Sequence, residues 1–210
     1  IRAALHQANI AVQSVACLLA SDLYMTNAAL REAALQLGVP LRFASTNGEA
    51  SELARQALPN ASVVSTERDI AIAVASQPLD LTQIGRPRGR LAVIGLGPGA
   101  AELMVPAVKA ELAKATDVLG YETYVRMAGP FREDQVLHCT DNREEMQRAR
   151  HAFELAAQGR SVIVVSSGDP GVFAMAAAVL EALHESSEPS WHSVDLEILP
   201  GVSASLATAA

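Results

Sequence analysis

The sequence is poor in cysteine, aromatic residues and positive charge, and each shortage excludes something. Only two cysteines occur, Cys17 and Cys139, far apart in apolar-looking segments. They read as buried free thiols rather than a disulfide or a metal site, which suits a reducing, cytoplasmic protein. One Trp, three Tyr and four Phe leave a hydrophobic half dominated by Ala, Val and Leu, a composition better suited to α/β layers than to an all-β sandwich. No run approaches the roughly 18 apolar residues of a spanning helix, so no membrane association is expected. No basic segment precedes a short apolar stretch, so no signal peptide is read. The initiator Met is also missing. Residues 1–8 already read as helix and the chain stops at Ala210 inside another helical stretch, so a piece of a longer protein is expected.

The net charge of −7 argues against a nucleic-acid partner. A polyanionic ligand would need a local arginine cluster rather than a global field. Length permits one large domain or two small ones. Residues 77–90, QPLDLTQIGRPRGR, combine Pro78, Gly85, Pro87 and Gly89 with Arg86, Arg88 and Arg90 and lack periodicity; 78–90 reads as a solvated linker between domains at 1–77 and 91–210. Upstream, strands are expected over 14–20 and 39–45, with helices over 25–38, 48–58 and 67–76; Gly38 and Pro40 mark a helix stop. Downstream, strands are expected over 91–95, 116–121, 134–139, 161–167 and 194–199. Helices over 106–115, 143–159, 171–185 and 202–210 alternate with them. This alternation demands a parallel sheet with right-handed crossovers.

Three loops follow strands of that sheet, where open parallel sheets bind ligands. The first, Gly95-Leu96-Gly97-Pro98-Gly99, allows a tight turn and close backbone approach. With Ala100 it also satisfies a dinucleotide fingerprint, and Asp117 stands where a ribose acid would. Against that reading, Pro98 removes a backbone donor, and Pro106 starts the helix well past the loop. The second, Ser166-Ser167-Gly168-Asp169-Pro170-Gly171, is ideal turn chemistry and equally a ligand loop whose carboxylate could meet an amino-acid or ribose group. The third, Leu199-Pro200-Gly201-Val202-Ser203-Ala204, is a helix cap or a third ligand loop.

Taken together, GLGPG, SSGDPGVFAMA and PGVSAS over residues 91–210 resemble the tetrapyrrole methylase family. With Gly120-Tyr121-Glu122-Thr123-Tyr124, they look most like the branch that methylates precorrin-3B at C17 with ring contraction to precorrin-4. The resemblance implies an α/β fold: a small N-terminal α/β domain, then the N-terminal parallel-sheet subdomain of a methylase, the second subdomain lying outside 91–210. It implies S-adenosyl-L-methionine as cofactor, a precorrin substrate and a homodimer. The cofactor contacts it implies are Gly97, Pro98 and Gly99 in the first loop, Ser167, Gly168, Asp169 and Val172 in the second, and Ser203 and Ala204 in the third. Residues 1–77, notably SVACLLASDLYMTNAALREAALQLGVPLRFAS, are similar to the C-terminal domain of cobalt-precorrin-5A hydrolases. They carry no assigned reaction.

The chemistry so implied asks the protein to align an electron-rich carbon with a sulfonium methyl and to exclude water. Ring contraction also needs a proton donor or acceptor. Tyr121, Tyr124 and His138 are candidates by closeness to the expected cleft, and none is singled out. A sibling precorrin or uroporphyrinogen methylase, a non-catalytic binding fragment and a dinucleotide-binding protein remain alternatives. Arg143, Arg148 and Arg150 read as a solvated helix face, and the histidines show no metal-ligand spacing.

Overall fold

The computed structural model describes residues 1–46, 48–67 and 69–209. It divides into two compact units, Ile1–Arg88 and Gly89–Ala210. In the first, α1 (Arg2–Gln7) leads to β1 (Leu18–Ser21). Next, α2 (Ala28–Leu37) returns the chain so that β2 (Leu41–Ala44) pairs with β1 in parallel. The ends of α2 follow the expected chemistry. Asn27 Oδ1 accepts hydrogen bonds from the Ala29 and Leu30 amides, and Gly38 closes the helix at φ 67°.

After α3 (Ala50–Ala57), β3 (Ser62–Glu67) and β4 (Ile70–Val74) form an antiparallel pair. The helix expected over 67–76 is therefore corrected to strand, with Arg68 lying outside the described residues. Ile70, Ile72 and Val74 recur at every second position, and their stiff χ1 angles suit a pleated strand. Residues 84–86 fold onto β2 rather than standing in solvent. Ile84 is buried, and Phe43 and Arg86 exchange two backbone hydrogen bonds of 2.8 Å. Arg42 donates to the carbonyls of Ile84 and Gly85 at 2.9 and 2.7 Å.

The second unit is an α/β layer structure built on one sheet. Its elements run β5 (Arg90–Gly95), α4 (Pro106–Lys114), β6 (Asp117–Tyr121), α5 (Glu122–Ala128), β7 (Val136–Thr140), α6 (Glu145–Ala157), β8 (Ser161–Ser166), α7 (Met175–Glu185), α8 (Pro189–His192), β9 (Asp195–Leu199) and α9 (Ala204–Ala209). The helix expected over 202–210 is thus present to Ala209, and Ala210 lies outside the described residues. All five strands are parallel, in the order β7-β6-β8-β5-β9.

Alternation along the strands feeds two apolar layers. Leu91, Val93, Leu119, Val162 and Val164 pack under α6 and α7, against Ala149, Ala152, Phe153 and Val179. Ala92, Ile94, Val118, Ile163 and Val165 pack on the other face against Val108, Leu112, Val125 and Ala128. Trp191, at α8, stacks on Phe153 with centroids 5.1 Å apart. Pro106 occupies the first turn of α4, as its missing N–H favours.

The strand starts are pinned by charge. Arg90 pairs with Glu111 and Asp195 at 3.0 Å each, and also with Glu197. It is a structural cation, not part of a solvated arginine cluster. Burial pushes Glu111 up, but hydrogen bonds from Lys114 and Arg90, and their charges, outweigh it and hold the carboxyl below its ordinary range. A depressed carboxyl contributes stability that is present above its unfolded pKa, about 4.3, and lost as pH falls through the folded value. Arg90→Ala should therefore cost about 1–3 kcal/mol at pH 7, leaving carboxylates short of their cation. At acid pH the gap to wild type should narrow, beginning below the unfolded value of about 4.3 and continuing as pH falls through the lowered folded value of Glu111. Thermal denaturation of both proteins at neutral and acid pH checks this; an unchanged gap refutes it.

Candidate functional site

The three glycine-bearing loops leave the C-terminal ends of β8, β5 and β9, which are neighbours in the sheet. The fold therefore sets them side by side. Leu96 N–H donates to Ser166 O at 2.9 Å. Gly97 and Gly168 then exchange backbone hydrogen bonds of 3.2 and 2.9 Å. Gly97 and Gly168 sit at φ 79° and 59°, where a side chain is strained.

Closeness of backbone is the reason for glycine at Gly95 and Gly201. A Cβ on Gly95 would lie 2.8 Å from Pro170 Cδ, 2.9 Å from Gly201 Cα and closer still to Gly168 O. A Cβ on Gly201 would strike Gly168 O and stand 2.8 Å from Gly95 O. Asp169 latches the loops together: Oδ1 accepts from Gly171 N–H at 2.8 Å and Oδ2 from Gly201 N–H at 3.1 Å. Its carboxylate, read from sequence as available to a ligand, is already engaged with backbone. Ser203 Oγ accepts from Leu206 N–H at 3.4 Å and lies 3.0 Å from Ser205 Oγ, so it caps α9.

The structure thus brings together Gly97, Pro98, Gly99, Ser167, Gly168, Asp169 and Ser203 along one rim. Gly97 is buried, Pro98, Ser167, Gly168, Asp169 and Ser203 are half-buried, and Gly99, Val172 and Ala204 are exposed. The position of a Cβ on Gly168 faces only Ser203 Cα, at 3.7 Å, so loops two and three leave a shallow cradle walled by backbone. Tyr121 ends β6 on the same side of the sheet and makes an edge contact with Tyr124, centroids 5.4 Å apart.

Placement corrects four expectations: His138 beside the loops, Asp117 as a ribose acid, buried thiols at both cysteines and a solvated Arg148; His138 is instead a structurally satisfied histidine. His138 does not approach this rim. Its Nε2 is 2.9 Å from Oδ1 of Asp117, the first residue of β6, at the opposite end of the strands. Asp117 itself is wholly buried and accepts both Arg160 Nε and Nη2, at 2.6 and 2.7 Å, and Thr116 Oγ1 at 2.7 Å. Burial pushes this carboxyl up, yet the bonds from Arg160, Thr116 and His138 prevail and hold it below the ordinary range. It cannot serve a ribose at the loops. The thiol of Cys139 is exposed on edge strand β7, while burial raises that of half-buried Cys17.

Arg148, read as solvated, is 3 % exposed. It donates to Thr140 Oγ1 at 2.8 and 2.6 Å, to Asp141 O at 2.8 Å and to Met175 Sδ at 3.1 Å. It therefore ties the end of β7 to the first residue of α7, just past the second loop. A helical signal was available: Arg148 lies four residues before buried Ala152. A larger cavity, about 920 Å3, lies in the N-terminal unit among Leu5, Cys17, Leu19, Leu53, Ile70 and Ile72. It is mainly apolar and contains none of the loop residues.

A parallel sheet with glycine loops interlocked at its C-terminal rim is an α/β arrangement of the kind in which open sheets take ligands. A family model for Tetrapyrrole (Corrin/Porphyrin) Methylases matches residues 90–210, and the chain belongs to that family. It is 48% identical over 122 residues to a precorrin-3B C(17)-methyltransferase from a Sinorhizobium species, covering 58% of this chain and 47% of that protein. It is 48% identical over 121 residues to the cobalamin biosynthesis protein CobIJ of Mycobacterium tuberculosis H37Rv, covering 58% of this chain and 23% of that one. The crystal structure of the methyltransferase CobJ is similar at a TM-score of 0.54 and 55% identity, over 58% of this chain and 49% of that one. The chain spans less than half the length of these relatives.

Gly201→Ala should destabilise the protein by about 1–3 kcal/mol, because its methyl group meets the Gly168 carbonyl rather than a yielding side chain. The neighbouring Ala204→Gly, at an exposed site, should change stability far less. Denaturant titration of the two variants checks the difference, and equal losses would refute the interlock.

Proposed function

We propose that the rim holds S-adenosyl-L-methionine and that the protein transfers its methyl group to a tetrapyrrole, namely precorrin-3B at C17, with ring contraction to precorrin-4. The observation that carries this reading is the interlock of loops one, two and three at adjacent strand ends. It leaves an open backbone cradle at Gly168 and Ser203. The residues present fit the cofactor. Small side chains and turned backbone let an amino-acid and ribose moiety approach, and Asp169 fixes the loops that would receive them.

In this reading Gly97, Pro98 and Gly99 form one wall, Ser167, Gly168, Asp169 and Val172 the second, and Ser203 and Ala204 the third. When bound, the cofactor supplies an electrophilic sulfonium methyl. The chain's task is to position it and keep water from the reacting carbon. Tyr121 and Tyr124 are the candidates for moving a proton at the rim; His138 is withdrawn by its bond to Asp117. The name of the Sinorhizobium relative supports precorrin-3B as substrate. We place the active form as a cytoplasmic homodimer, and residues 1–77 as a hydrolase-like accessory domain without a reaction of its own. No described helix is long and apolar enough to cross a membrane.

Calorimetric titration of the 210-residue chain with S-adenosylhomocysteine should give saturable heat, and NAD should give none. Gly168→Val, which forces a β-branched residue to φ 59° in the cradle, should weaken the binding about tenfold or more. Mass spectrometry of precorrin-3B incubated with the protein and S-adenosylmethionine should then find one added methyl group. Heat with NAD alone would overturn the cofactor assignment. Cofactor binding with no methylated precorrin-3B would overturn only the substrate.

A further inference from the structure

We propose that His138 on β7 and His151 on α6 form a binding site for a divalent late first-row metal ion such as Zn2+, away from the loop rim. The two rings lie with centroids 5.0 Å apart, and His138 Nδ1 is 3.4 Å from His151 Nε2. The far nitrogen of each ring meets a carboxylate. His138 Nε2 is 2.9 Å from Asp117 Oδ1, and His151 Nδ1 is 3.4 Å from Glu154 Oε2. An ionised carboxylate can only accept, so the 2.9 Å contact assigns the His138 proton to Nε2 and leaves Nδ1 with its lone pair. The proposal takes the same tautomer for His151, whose Nδ1 faces Glu154. The inner nitrogens then face each other with lone pairs, an arrangement that calls for a cation between them.

Distance chooses which cation. A shared proton draws its two heavy atoms to roughly 3.0 Å. Two imidazole nitrogens each about 2.05 Å from a tetrahedral ion stand about 3.3 Å apart, close to the spacing here. Imidazoles backed by carboxylates through the opposite N–H are the usual outer shell of a histidine-bound metal. Both side chains reach solvent, with 22 % and 43 % exposure, so water can complete the coordination. Among the described residues no set of three His, Cys, Asp or Glu side chains converges, so the protein supplies two ligands. The ion would join an edge strand to the helix that covers it, and Asp117, held by Arg160 and Thr116, would fix the orientation of the first ligand.

Chelator-treated full-length protein should gain a rise in melting temperature with Zn2+ alone, and a visible absorption band with Co2+ alone. His151→Ala, on an exposed part of α6, should lose both while keeping its circular dichroism spectrum. Glu154→Gln leaves both ligands in place and should weaken Co2+ binding roughly tenfold, the usual effect of removing an outer-shell carboxylate. A Co2+ spectrum unchanged in His151→Ala, or no Co2+ band in wild type, would overturn the site. The latter result would leave a proton shared by the two rings.

Discussion

Three stretches of backbone meet at one rim of the sheet more closely than any Cβ allows. That steric fact fixes Gly95 and Gly201, whose Cβ positions are taken by neighbouring backbone, while Gly168 is favoured by its φ of 59°. It also explains why the contact is made of amides and carbonyls: Gly97 and Gly168 exchange hydrogen bonds, and Asp169 accepts the amides of Gly171 and Gly201. Side chains there would push the loops apart and close the cradle. Under the proposed function the rim receives its ligand because it presents backbone rather than bulk, and parallel strands deliver all three loops to the same edge.

The opposite ends of the strands follow the reverse rule. There, long side chains converge, and opposite charges are spent on one another. Arg90 gathers Glu111, Asp195 and Glu197, while Asp117 gathers Arg160, Thr116 and His138. A buried carboxylate such as Asp117 would be costly without these partners, since its hydration is lost. One sheet therefore carries an ionic base and a glycine-lined rim. The position of a residue along its strand, more than its type, decides which role it takes.

That distinction sets what could be read in the sequence. Strands of continuous apolar residues and glycine loops are local patterns, so β5, β8, β9 and the loops after them were legible, as was the Pro106 start of α4. Pairings across the sheet leave no local trace. Asp117 stands at a plausible ribose-acid spacing from Gly95, yet spacing does not say which strand end it occupies. His138 and His151 are 13 residues apart, joined only by the β7–α6 crossover, so no ligand motif marks them. The 67–76 stretch misled because alternating Ile and Ala satisfy a helical count about as well as a strand count. Its partner, 62–67, shows only when the two are paired.

The placement of charge also bears on how a carboxylate-rich macrocycle would be met. Arg126, Arg132, Arg150 and Arg160 pair with Glu122, Asp134, Glu185 and Asp117, and Arg148 spends its donors on Thr140, Asp141 and Met175. With a net charge of −7 on the whole chain besides, long-range attraction of an anionic ligand would be weak. What the second loop does offer is apolar. Val172 is exposed, and Phe173 is fully exposed at φ 51°, a conformation an aromatic residue adopts only when its surroundings impose it. Hydrogen bonds from Gly171 N–H to Asp169 and from Ala176 N–H to Pro170 O tie the turn on either side of it. Under the proposed function, a flat ring laid against Phe173 would bury apolar area at about 25 cal/mol per Å2. Contact of that kind, rather than charge, is then what the second loop contributes to holding the macrocycle.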